Sequence, residues 1–222
     1  MASKTIIKLS YDIVSPWSYL AYIVLKRYQA YWNFELVLNP VWLGAVMIAA
    51  KNSPPMQVPN KGKHMNEELP LMAEFFKVKY RQPIKFPANT LYAMRLLRIL
   101  HKAAPDKLES STERLWEAMF ITGKPIEDSD SIKTVLLSDF HPTELDEYIE
   151  LSKLGQHKAS MKQAAEDLVH LGAFGFPWIE ITKPNGEKLK IFGSDRFEFL
   201  ANWLGVKWHG PCLDQDIVKS KM

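Results

Sequence analysis

The sequence predicts an α/β fold in which one β-sheet is assembled from the two ends of the chain and a long all-helical stretch separates them. Three observations lead there. The first forty residues alternate strand, helix and strand; the middle carries helical periodicities; and β character returns after residue 177 as a hairpin. The chain has 222 residues, 47% hydrophobic and 12% aromatic, which supplies apolar side chain for a large core and excludes disordered, collagenous and coiled-coil classes.

Residues 5–12 are β-rich through Ile6, Ile7, Leu9 and Tyr11 and predict the first strand. They run into Ser15-Pro16, a serine able to cap a helix followed by proline at the first helical position. Tyr19, Tyr22 and Ile23 carry that helix to about Tyr31. A second β-rich run over 34–39 stops at Pro40 and completes a βαβ unit, with a parallel strand pair and a right-handed crossover. Between residues 44 and 87 six prolines, at 54, 55, 59, 70, 83 and 87, predict short helices joined by loops. Leu91, Met94, Leu97 and His101 then share one helical face, and Leu108, Leu115 and Met119 another. Residues 144–154 and 160–171 read as two more helices, the second ended by Gly172. Residues 178–182 alternate, Pro184-Asn185-Gly186 is a turn signal, and 188–192 form the returning strand. Asp195 is placed to cap a last helix over 196–204, which Gly205 ends. This order is that of a thioredoxin-like domain interrupted by an all-helical insertion, the DsbA-like arrangement. The expected divisions are 1–43 for the first part of the thioredoxin-like domain, 44–169 for the helical insertion, 170–210 for the second part and 211–222 for a C-terminal tail.

Composition narrows the partners. The 28 basic residues against 25 acidic ones leave a net charge of +3, scattered along the chain and not gathered into the stripe that nucleic-acid binding requires, so no nucleic-acid partner is expected. The longest apolar candidate, residues 41–50, is too short to span a bilayer and contains Gly44; no membrane span is expected. The N-terminus lacks the continuous apolar stretch of a secretory signal, and Lys4 and Lys8 without an arginine before Arg27 do not make an Arg-rich transit helix. The single cysteine, Cys212, can form no internal disulfide and reads as a packing or surface residue in a reducing compartment. The last residues, Ser220-Lys221-Met222, fit the small-basic-apolar pattern of a peroxisomal address, so peroxisome is the expected location, with mitochondrion or cytosol as alternatives.

Dinucleotide, phosphate-loop, zinc-protease and nucleophile-elbow motifs are all absent. The six histidines, at 64, 101, 141, 157, 170 and 209, show no close ligand spacing, and no metal site is expected. Three segments remain. Ser15-Pro16-Trp17-Ser18 lies at the strand–helix junction where thioredoxin-like proteins carry a cysteine pair whose thiolate the helix N-terminus stabilises. Both cysteine positions hold serine, which excludes dithiol chemistry there. Gly172-Ala173-Phe174-Gly175-Phe176-Pro177 precedes the third strand, where that fold places a cis proline. Phe192-Gly193-Ser194-Asp195-Arg196 opens the last helix with donors and charge. Taken singly, these are a helix cap, a loop proline and an Asp N-cap.

Taken together they are far more specific. With Tyr11-Asp12, Arg27-Tyr28-Gln29, Asn52-Ser53-Pro54-Pro55, Lys61-Gly62, Ala93-Met94-Arg95 and Leu204-Gly205-Val206-Lys207-Trp208, they run in order over nearly the whole chain. The set resembles the kappa-class glutathione transferases and the related glutathione-dependent 2-hydroxychromene-2-carboxylate isomerases. The resemblance implies an enzyme that takes glutathione as co-substrate, uses no prosthetic group, acts on a small electrophile and forms a homodimer. It implies that Ser15 hydrogen-bonds the glutathione sulfur and that Phe176, before Pro177, pairs its backbone with the cysteinyl unit. Ser194 and Asp195 would hold the γ-glutamyl end, and Asn52 and Lys61 would meet the sulfur region and the glycyl carboxylate. Lys61 is preferred to Lys63 because it directly precedes Gly62. Phe176 stands where mammalian members usually carry Leu, and Trp17 replaces a frequent Tyr; neither departure touches the serine. The expected activity is conjugation of the thiolate to small electrophiles, with hydroperoxides as further acceptors. The alternatives are an isomerase using the same thiolate and a non-catalytic thioredoxin-like binding protein.

Overall fold

Residues 4–213 are described by a computed structural model of the chain. The C-terminal tripeptide read as an address therefore lies outside the described residues. Strands β1 (Thr5–Tyr11), β2 (Phe34–Pro40), β3 (Trp178–Thr182) and β4 (Lys188–Phe192) form one sheet in the order β2-β1-β3-β4. β1 runs parallel to β2, antiparallel pairing joins β1 to β3 and β3 to β4, and both chain ends thus contribute to a single mixed sheet. Alternation along β1 sends Ile7, Leu9 and Tyr11 into the core, fully buried, while Lys8 on the other face pairs across the register with Glu180 at 3.0 Å.

Helix α1 (Pro16–Trp32) connects β1 to β2. Ser15 caps it in extended geometry, Pro16 occupies the position whose N–H has no helical partner, and Asn33 closes it in the left-handed region. Its faces are buried against different neighbours: the Tyr22 hydroxyl, with its one hydrogen, lies between the carboxylates of Glu109 at 2.9 Å and Glu113 at 2.6 Å, whereas Tyr28 stacks on Trp208 at 4.8 Å. Between β2 and β3 lie α2 (Leu43–Ala49), α3 (Pro59–Phe75), α4 (Leu91–Ala103), α5 (Pro105–Glu117), α6 (Ser129–Leu136), α7 (Pro142–Lys153) and α8 (Gly155–His170); α9 (Phe197–Leu204) follows the sheet. Buried side chains of the sheet and of these helices form one continuous cluster. Arg98 of α4 donates to Asn39 at 2.8 Å, and Asn39 donates to Ser10 at 2.8 Å, which ties α4 to the ends of both parallel strands.

Three local expectations need correction. The prolines do not restrict the 44–87 segment to short helices, because α3 runs 17 residues with Pro70 inside it. Pro70 is exposed, so the helical hydrogen bond it cannot donate is missing on the solvent side, where water reaches the orphaned carbonyl. Asp195 does not cap the last helix: α9 begins at Phe197, and its flanking residue Arg196 makes no side-chain cap bond. Helix α6 was not expected at all, although Asp128 caps it by accepting the Ser131 N–H at 2.8 Å and Ile132 and Leu136 bury one face.

Candidate active site

Asp12, just beyond the end of β1, organises the site. Its carboxylate is completely buried. Oδ1 accepts the Val14 N–H at 2.9 Å and the Thr90 hydroxyl at 2.7 Å, and Oδ2 accepts the Leu43 N–H at 2.7 Å. One side chain thus gathers the approach to α1, the first residue of α2 and the residue before α4. Burial pushes its pKa up to about 6, against the pull of the three hydrogen bonds to its ionised form.

Ser15 follows, 4% exposed. Its Oγ accepts the Ser18 N–H at 3.2 Å, so a lone pair serves as the helix cap. Its hydroxyl hydrogen has only a long contact, 3.4 Å to the Phe176 carbonyl. The donor is therefore barely engaged, and in the first turn of α1 Pro16 has no N–H, the Ser18 N–H is held by Ser15, and the Trp17 N–H has no acceptor among the described residues. The Phe176–Pro177 bond is cis, as expected. Pro177 stands behind the cavity wall, where its carbonyl accepts the Gly193 N–H at 3.1 Å and locks the loop after β4 beside the loop before β3.

These elements enclose a cavity of about 610 Å³. Ser15, Asn52, Lys61, Phe176, Ser194 and Asp195 all line it. Asn52 is strapped in place: its amide nitrogen donates to the Phe174 carbonyl at 2.8 Å and its oxygen accepts the Ser53 N–H at 2.8 Å. Lys61, in the first turn of α3, has no acidic partner among the described residues. Ser194 is buried, whereas the exposed Asp195 carboxylate turns back over Gly193 and pairs with Arg196 at 2.8 Å. Gly193 has φ of 91°, and a Cβ there would lie 2.7 Å from the Asp195 carboxylate, so glycine permits that turn.

Ser53, His64, Glu68 and Thr90 add polar groups to the lining, and much of the remaining wall is apolar. Trp17 of α1, Trp42 just before α2, Met47 of α2, and Met65 and Met72 of α3 line the cavity. Gly44 leaves room for the Trp42 indole, which a Cβ would meet at 2.6 Å. Aromatic rings and flexible thioethers make a surface suited to flat apolar molecules of varied shape. The sequence placed Trp17 and residues of the helical insertion around the electrophile site without naming Trp42, Met47, Met65 or Met72, and it gave Asp12 no role because a buried carboxylate's hydrogen-bond partners, Leu43 and Thr90, are distant along the chain.

A single mixed sheet, a helical stretch inserted between β2 and β3, a cis proline opposite a helix N-terminus and serine at both ends of the Ser15-Pro16-Trp17-Ser18 turn define a DsbA-like thioredoxin protein that carries no dithiol. Residues 6–205 match the DSBA-like thioredoxin domain family. The chain is 33% identical over 213 residues to glutathione S-transferase kappa 1 of Rattus norvegicus, covering 93% of each chain. It is 33% identical over 218 residues to glutathione S-transferase kappa 1 of Homo sapiens, covering 92% of this chain and 93% of the relative. Its structure is similar to that of a 2-hydroxychromene-2-carboxylate isomerase, with a TM-score of 0.75 at 16% identity over 90% of this chain and 94% of the other. A probable DsbA oxidoreductase from Streptomyces coelicolor shares the fold with a TM-score of 0.63 at 16% identity, over 95% of this chain and 94% of that one. The chain belongs to the DsbA-like thioredoxin domain family and, within it, to the kappa-class glutathione S-transferases.

Proposed function

We propose that this enzyme conjugates glutathione to small electrophiles and that Ser15 stabilises the attacking thiolate. The observation that carries the reading is the Ser15 hydroxyl, capped through its lone pair but with its hydrogen only loosely engaged at 3.4 Å, on a 610 Å³ cavity. A free thiol of pKa about 8.5 is only a few per cent ionised at pH 7. Lowering that value by about two units corresponds to roughly 2.7 kcal/mol of preferential binding of the thiolate. A hydroxyl donor together with the first turn of α1 is of the right size to supply it.

In this reading the Phe176 backbone pairs with the cysteinyl unit, as its N–H has no acceptor among the described residues. Ser194 and Asp195 hold the γ-glutamyl end, the carboxylate meeting its ammonium, and Lys61 meets the glycyl carboxylate. Asn52 keeps the loop before Phe176 in position beside the sulfur. The aromatic and methionine wall receives the second substrate. Aryl halides are the favoured acceptors, and hydroperoxides are a second acceptor class for the same thiolate. We further propose a homodimer as the working assembly.

Replacing Ser15 with Ala tests the assignment, because it removes one donor and leaves the helix in place. Conjugation at pH 7 should fall about tenfold or more. Unchanged rates across the pH range would refute the role of Ser15, and turnover of a chromene carboxylate without loss of free glutathione would identify an isomerase instead.

A further inference from the structure

Asp12 makes no contact with the proposed glutathione subsites at Ser194, Asp195 or Lys61, yet it holds three segments that reach the cavity. Val14 leads directly to Ser15. Leu43 opens α2, which contributes Met47 and, through the preceding residue, Trp42 to the apolar wall. Thr90 itself lines the cavity before α4 begins. The segments that carry the serine donor and the electrophile wall are distant along the chain, with Thr90 lying 78 residues from Asp12, and this buried side chain bonds to both. We infer that Asp12 is a positioning residue that fixes the Ser15 donor relative to the second-substrate wall, through its hydrogen bonds to Val14, Leu43 and Thr90. The inference rests on the proposed conjugation reaction and deepens it.

The physical basis is the geometry of the acceptor. A carboxylate offers several lone pairs on two oxygens, and here three different donors use them at 2.7–2.9 Å. An asparagine of the same shape has one acceptor oxygen, and its amide group would face a donor on the other side. At least one of the three links is then lost, and a buried N–H or hydroxyl is left without its acceptor. The loop that carries Ser194 and Asp195 is held separately, by the Gly193 N–H to the Pro177 carbonyl. Loss of Asp12 should therefore misalign thiolate and electrophile while leaving the γ-glutamyl grip in place. Misplacement on the order of 1 Å is enough to cost about a hundredfold in rate.

The test compares Asp12→Asn, Thr90→Val and Thr90→Ser with wild type. Glutathione affinity is read by direct titration, kcat and electrophile KM by an aryl halide assay, and segment opening by hydrogen exchange. Asp12→Asn should lower kcat/KM for the aryl halide by about tenfold to a hundredfold, while glutathione affinity moves less than about threefold. Exchange should accelerate over residues 13–19 and 42–48 and stay unchanged over 193–204. Thr90→Val, which keeps the shape and two of the three links, should show a smaller loss of the same kind, and Thr90→Ser should restore it. A parallel loss of glutathione affinity and rate would overturn the inference, as would full activity in Thr90→Val beside an Asp12→Asn protein that fails to fold. A wild-type protein that does not bind glutathione would instead remove the conjugation reading itself, and this one with it.

Discussion

Asp12 and Asp195 are carboxylates with opposite surroundings, and each gives a prediction of its own. Asp12 is fully buried, with a pKa of about 6 against an ordinary 3.8. Between about pH 4 and pH 6 the folded protein holds a proton that the unfolded chain has released, so stability from this group is lost as pH rises through that window and is constant above it. The difference corresponds to about 3 kcal/mol. In urea unfolding, the stability advantage of wild type over Asp12→Asn should therefore shrink between pH 4 and pH 7; an advantage that widens would show that the hydrogen bonds outweigh burial. Asp195 is exposed and caps nothing, so Asp195→Asn should leave the melting temperature unmoved while weakening glutathione binding about tenfold, as for loss of a charged hydrogen bond. Equal effects on stability and affinity would make it a structural residue. Local chemistry made Ser15 legible in the sequence as a helix cap, since the Ser-Pro pair marks a helix start, whereas its place beside the sulfur came from the resemblance of the ordered motif set. The links of Asp12 to Leu43 and Thr90 were not legible, because hydrogen bonds spanning 31 and 78 residues leave no local pattern.

Among the elements, those with strong punctuation were readable: β1, α1 and β2 from Ser15-Pro16 and Pro40, and the β3–β4 hairpin from its Pro-Asn-Gly turn. Proline was over-read in α3. Whether it breaks a helix depends on which side of the helix the missing bond falls, and that is set by tertiary packing. Pro70→Ala should restore an N–H for the carbonyl four residues earlier on the exposed face of α3 and stabilise the protein by about 1–3 kcal/mol in chemical unfolding. No gain, or a loss, would mean that the packing of Met65 and Met72 has adapted to the proline. Helix α6 was overlooked although Asp128 and the Ile132–Leu136 spacing announced it; an eight-residue helix holds few periodic positions.

At the scale of the whole molecule, the order of strands and helices was enough to anticipate a single sheet closed by the two chain ends, and the ordered motif set was enough to anticipate the family. What the order of elements does not convey is the cavity wall, because Trp42, Met47, Met65 and Met72 come from separate segments and meet only around the folded cavity. We propose that Ser220-Lys221-Met222 directs the protein to peroxisomes. Deleting those three residues from a tagged protein should leave it cytosolic with glutathione turnover intact, and identical distributions of the two forms would reject the address. Thiolate stabilisation at the start of α1 is measured by a pH titration of glutathione bound to wild type and to Ser15→Ala, followed by thiolate absorbance. Wild type should ionise bound glutathione about two units below the free thiol, with the value rising toward about 8.5 in Ser15→Ala. An unshifted pKa in wild type, or the same lowered pKa in both proteins, would contradict it.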